Sequence, residues 1–119
     1  MTETTTEQLK TLVITALEDL KAETINQIDI RGLASFTDIM IFASGTSSRH
    51  VKSIANSVIE AAKHAQMPPL GVEGEDVGDW VLVDLGNVVV HIMLPDTREF
   101  YDIERLWAEQ VEQAMQSPA

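Results

Sequence analysis

At 119 residues the chain fits one compact domain, and its nineteen acidic against eight basic residues (formal charge −11) disfavour nucleic acid as its main direct ligand, since phosphate backbones reward cationic surfaces. With no cysteine it forms no disulfide, thiolate metal site or cysteine nucleophile. Met1-Thr2-Glu3-Thr4 lacks the basic and apolar regions of a signal peptide, and the apolar runs Ile39 to Ala43 and Val88 to Val90 are too short to span a bilayer, so a cytoplasmic protein with no membrane contact is expected.

Leu9, Leu12, Val13, Ala16, Leu17 and Leu20 recur at helical spacing and predict an amphipathic helix over about residues 6 to 21. Thr5 and Gln8 have the spacing of a capping box at its start. Thr24 to Ile30 alternates weakly and reads as a strand, and Gly32 to Ser35 as a turn. Asp38 to Ala43 is a continuous apolar run, which suits a strand buried on both faces and so flanked by other strands. Val51, Ile54, Ala55, Val58, Ile59 and Ala62 mark a second helix, ended by Pro68 and Pro69. A short strand around Leu70 to Val72 leads to the acidic turn Glu73-Gly74-Glu75-Asp76.

The next stretch reads as a hairpin. Trp80 to Asp84 and Val88 to Leu94 are β-rich, and Gly86-Asn87 between them suits the positive φ of a two-residue turn. That loop sets Leu85 opposite Val88, Val83 opposite Val90 and Val81 opposite Ile92, and these six side chains make a core face. The other face carries Trp80, Leu82, Asp84, Val89, His91 and Met93. Large apolar groups mixed with a carboxylate and an imidazole suit a surface that meets a partner. The alternative is a second core layer under a helix, with Asp84 and His91 at its rim.

Pro95 stops the hairpin, and Asp96 with Glu99 predicts a capping box for a last helix whose apolar side is Phe100, Ile103, Leu106, Trp107 and Val111. The fold class expected is α/β of the mixed α+β kind: one small mixed β-sheet of about five strands with helices packed on it. Residues 1–119 form a single domain, with 1–5 and 114–119 expected to fray.

Candidate chemistry is sparse. Ser44-Gly45-Thr46-Ser47-Ser48, with Arg49 at its mouth, leaves a strand and enters a helix, where phosphate can be held. It lacks the second glycine and the Lys-Ser or Lys-Thr pair of a Walker motif, and Ser47 or Ser48 can simply cap the helix. Nucleotidyltransferases of similar topology carry paired carboxylates on the strand after such a helix. Here Asp79 and Asp84 are five apart and point to opposite faces, so no metal-binding pair and no catalytic residue is assigned. His50 and His64 stand about 21 Å apart along one helix and share no ion. No cofactor is expected.

Five blocks, Ser35-Phe36-Thr37-Asp38, Ala43 to Val51, Gly71-Val72-Glu73-Gly74, Asp79 to His91 and Arg98 to Trp107, closely resemble the Iojap-like ribosomal silencing factor family in order and spacing. The resemblance runs from about Leu9 to Trp107. It implies a nucleotidyltransferase-like topology without the enzyme activity. It also implies a translational repressor that binds the large ribosomal subunit through its protein fourteen and blocks joining with the small subunit when nutrients run short. Large-subunit assembly through the same surface is the other role that the family carries. A divergent nucleotidyltransferase, using Gly45-Thr46-Ser47, Arg49 and a carboxylate such as Asp38 or Asp84, is the rival class.

Trp80 matches the family's tryptophan in its Asp-Trp or Glu-Trp block, and Tyr101 the tyrosine of its Phe-Tyr or Leu-Tyr block. The expected docking patch is Trp80, Leu82, Asp84, Met93 and Tyr101, with Asp84, Asp96 or Glu99 paired to arginine or lysine of a basic partner. Asp38, His91 and Arg98 also match family blocks and are expected to form an internal polar network tying strand to helix. An exposed Trp80 face also allows a homodimer off the ribosome.

Overall fold

The computed structural model describes residues 2–116, with side chains from residue 5 onward. The chain runs α1 (Thr2–Asp19), β1 (Glu23–Asp29), β2 (Ile39–Ser44), α2 (Ser48–His64), β3 (Gly71–Glu73), β4 (Trp80–Asp84), β5 (Val88–Met93), α3 (Pro95–Tyr101) and α4 (Ile103–Gln116). The five strands form one mixed sheet in the order β1-β2-β5-β4-β3, in which β2 and β5 pair parallel and the other neighbours antiparallel. The apolar run that predicts a strand buried on both faces is β2, set between β1 and β5 with every residue buried.

Alternation along the strands divides the apolar side chains between two layers. Val81, Val83, Leu85, Val88, Val90 and Ile92 join Ile39, Ile41 and Ala43 beneath α1 and α2, whose apolar stripes (Leu9, Val13, Leu17; Val51, Ile54, Val58) close this core. On the reverse side Ile28, Ile30, Met40, Phe42 and Met93 pack under Ile103, Trp107 and Val111 of α4. The second face of the hairpin is therefore largely a second core layer.

The hairpin register is the expected one: Val83 pairs with Val90, Val81 with Ile92, and Leu85 N–H donates to Val88 O at 2.9 Å. Gly86 alone of the two loop residues takes positive φ (+89°), because a turn of the type II′ kind needs left-handed backbone only at its first central position.

Helix ends depart from expectation. Thr5 lies inside α1, which starts at Thr2, so Thr5 and Gln8 do not cap it. The same helix stops where Lys21 turns left-handed (φ 59°) and Ala22 N–H returns to Leu17 O at 3.0 Å. The single last helix is two helices, broken at Asp102, whose left-handed backbone (φ 50°, ψ 44°) closes α3 with its N–H on Arg98 O. Leu94 is the N-cap of α3 without a side-chain bond, and Pro95 at the first turn needs no N–H partner, so the Asp96–Glu99 capping box does not form. Of the stretches expected to fray, 2–5 and 114–116 belong to helices, while 1 and 117–119 lie outside the described residues.

Candidate functional site

Trp80 opens β4 at the sheet end from which α3 departs, and the site is built around it. Its indole is half-buried and lies 4.9 Å, centroid to centroid, from the ring of Tyr101 at the end of α3. Tyr101 is half exposed (50%) and packs edge-on against Phe100, the most exposed of these rings (80%). Trp80, Leu82 and Tyr101 line one open groove together with Glu73, Gly74 and Asp79. Asp96, Glu99 and Phe100 line a second depression on α3.

The expected patch is thus partly assembled and partly redrawn. The structure brings Trp80, Leu82 and Tyr101 together, and places Asp96 and Glu99 on exposed α3 surface. Asp84 sits at the far end of β4, where its Oδ1 accepts Gly86 N–H at 2.9 Å and braces the turn. Met93 does not belong to the surface: it is 1% exposed, within the core beneath α4. Alternation puts Met93 and Trp80 on one face, but α4 covers one part of that face and leaves the other open.

Phe100 and Glu73, which the sequence pattern does not place in the patch, also line these two depressions. Phe100 fitted the apolar stripe of a continuous last helix, and the break at Asp102 takes it out of that stripe. Glu73 reaches the groove because β3 continues through it and pairs it with Leu82 of the next strand, where the sequence pattern reads an acidic turn.

Beneath the site lies a polar framework. His91 is buried, stacked on Phe42 at 4.8 Å with the rings 10° from parallel, and its Nδ1 accepts the indole N–H of Trp80 at 3.1 Å. Burial pushes its pKa down to about 4, against a weaker raising effect of Glu104. Arg98 Nη2 donates to Glu104 Oε2 at 2.9 Å and Nη1 to Ser44 Oγ at 2.9 Å, while Asn26 donates to the same Glu104 oxygen at 3.0 Å. These contacts tie α3 to α4, β1 and β2. The Arg98 hydrogen bonds, above all, hold the Glu104 carboxyl below its ordinary range. Asp38 stands apart from this framework and from the expected network with His91 and Arg98: at the other end of β2 it accepts the Thr6 hydroxyl at 2.8 Å and links α1 to that strand.

Several donors of the loop before α2 are taken by the protein itself. Ser47 caps the helix through His50 N–H at 3.1 Å, Thr46 N–H donates to His50 Nδ1 at 2.9 Å, and Gly45 N–H to Met93 O at 3.1 Å. His50 Nε2 donates in turn to Leu20 O at 2.7 Å. A Cβ on Gly45 would stand 2.8 Å from Val51 Cγ2 and 2.9 Å from Val51 N, so this glycine serves the close approach of loop and helix. Among the described residues no three His, Asp or Glu side chains cluster as metal ligands, and no helix is long and apolar enough to cross a membrane.

The family model described as ribosomal silencing factor during starvation matches residues 2–119. The chain belongs to that ribosomal silencing factor family. Ribosomal silencing factor RsfS of Chromobacterium violaceum is 48% identical over 104 residues, which cover 87% of this chain and 85% of that protein. A crystal structure of a protein from the same organism aligns with a TM-score of 0.85 at 45% identity, over 95% of this chain and 89% of the other. The mouse protein named mitochondrial assembly of ribosomal large subunit protein 1 is 35% identical over 99 residues, 81% of this chain and 43% of the mouse protein. The silencing factor family is regulatory and non-catalytic, and the role of this chain is of that kind.

Proposed function

We propose that the chain docks on the large ribosomal subunit through its protein fourteen and, by occupying the face where the small subunit joins, keeps the two subunits apart and lowers translation under nutrient limitation. The observation that carries this reading is the half-open aromatic pair Trp80–Tyr101, left uncovered beside Leu82 on the sheet face that α4 covers only in part. Interface energy concentrates on a few aromatic anchors, and these rings stand in the two blocks that match the family's tryptophan and tyrosine. The net charge of −11 suits a basic ribosomal protein better than ribosomal RNA, and Glu73, Asp79, Asp96 and Glu99 lie about the rings to meet its cations. In this reading the chain acts in the cytoplasm. Off the ribosome the same rings can pair two copies, which then compete with docking.

Co-sedimentation with purified large and small subunits, followed by addition of the missing subunit, tests it. Binding to large subunits alone, with fewer joined ribosomes, is the expected result. Binding to neither subunit refutes the proposal. The printed name of the mouse relative favours a second reading, large-subunit assembly through the same surface, which predicts binding with no effect on joining.

A further inference from the structure

His91 occupies a slot that an apolar side chain would fill at less cost. It lies opposite Leu82 on β4 and Phe42 on β2, is 4% exposed, and stacks on the Phe42 ring. Its Nε2 is buried without a hydrogen-bond partner, which an apolar residue would avoid. What imidazole adds over a phenyl ring of similar shape is an acceptor, Nδ1, aimed at the indole N–H of Trp80 at 3.1 Å. The indole N–H only donates, so Nδ1 is the bare nitrogen and Nε2 carries the proton. Burial pushes the pKa to about 4, which keeps the ring neutral and the acceptor available near neutral pH.

We infer that His91 is a positioning residue for docking: by accepting the Trp80 N–H it anchors the inner edge of the indole and presents the outer edge, beside Tyr101, in the pose that the partner meets. This rests on the reading that Trp80 docks on the large subunit. An indole already held in its bound orientation loses less freedom on binding than one free to turn about its two side-chain torsions. The strand pairing supplies the means, since His91 stands diagonal to Trp80 across β4 and β5, within reach of a long aromatic side chain.

The test uses the full chain and purified large subunits. Two readouts are taken: hydrogen exchange of the Trp80 indole N–H, told apart from that of Trp107 by a Trp80→Phe control, and affinity by co-sedimentation. His91→Leu should speed the exchange roughly tenfold or more and weaken binding about three- to tenfold. His91→Asn, whose Oδ1 lies near the position of Nδ1, should restore both. In a Trp80→Ala background His91→Leu should cause no further loss, because the two residues act as one unit. His91→Phe, which keeps the ring stack without the acceptor, takes the place of His91→Leu if that variant does not fold. If His91→Leu binds like the unaltered chain while Trp80→Ala binds weakly, the positioning inference falls and the docking reading stands. Losses that multiply in the double variant overturn the inference equally. If Trp80→Ala itself binds normally, the docking reading fails and takes this inference with it.

Discussion

Arg98 and Glu104 face each other across the break at Asp102 and lock α3 onto α4 through a two-pronged ion pair, their side chains 10% and 21% exposed. Tyr101 lies between them in sequence, so the pair fixes where its ring stands relative to Trp80.

Removing Arg98 is therefore expected to act on stability and on the site together. Arg98→Ala leaves Glu104 with only the Asn26 bond and should cost about 2–4 kcal/mol in urea denaturation. Arg98→Lys should recover only part of this, because an ammonium cannot bridge both carboxylate oxygens while also reaching Ser44.

Stability should fall on acidification, with a share that belongs to His91. Its folded pKa is depressed to about 4 from 6.5, so the unfolded chain binds the extra proton first. The contribution is complete above the unfolded value and fades as pH drops from 6.5 towards 4, by roughly 3 kcal/mol at most. Glu104, whose carboxyl is held low, adds a loss of the same sign below the ordinary glutamate range. Denaturation midpoints measured from pH 7 to pH 4 should show the slope, and His91→Leu should flatten it in the upper part of that window.

Trp80 and Met93 share a sheet face but should respond in opposite ways. Trp80→Ala is expected to weaken large-subunit binding by about 2 kcal/mol or more while the chain stays folded. Met93→Ala should cost about 2–4 kcal/mol of folding stability through the cavity it leaves, with near-normal binding by the folded fraction. Thermal melts and co-sedimentation on the same preparations separate the two.

Gly74 supports the groove through its backbone. At φ +87° any other residue is strained, and a Cβ there would stand 2.0 Å from the Trp80 carbonyl oxygen. Gly74→Ala should destabilise the chain by about 2 kcal/mol or more and weaken docking with it. A Gly74→Ala variant that is as stable and binds as well as the unaltered chain would count against this role.

The acidic rim should make docking salt-sensitive. Raising the salt from about 0.05 to 0.3 M is expected to reduce affinity and slow association, as the Debye length shrinks. An affinity unchanged by salt would leave the aromatic anchors as the whole interaction.

Local pattern carried far in this chain. Hairpin register followed from Gly86-Asn87 and strict alternation, and the setting of β2 between other strands from five consecutive apolar residues. The α2 stripe was likewise legible, and its cap was narrowed to Ser47 or Ser48, because periodicity and capping are decided within one or two turns of chain. Helix ends were less so: the stop at Lys21 and the break at Asp102 depend on single left-handed residues that are neither glycine nor asparagine. Family membership was also readable, since it resides in the order and spacing of side chains.

Alternation tells which side chains share a face of the sheet and nothing of what covers that face. Burial of Met93 and His91, and the half-open state of Trp80 and Leu82, were decided only when α4 packed on one side of the sheet and stopped short of the other. The groove beside Trp80 arose in the same way, from β3 bringing Glu73 across to Leu82 and α3 bringing Tyr101 back over the sheet. Such contacts join segments twenty or more residues from Trp80 on the helix side and seven on the strand side, and no local periodicity encodes how far a packed helix reaches.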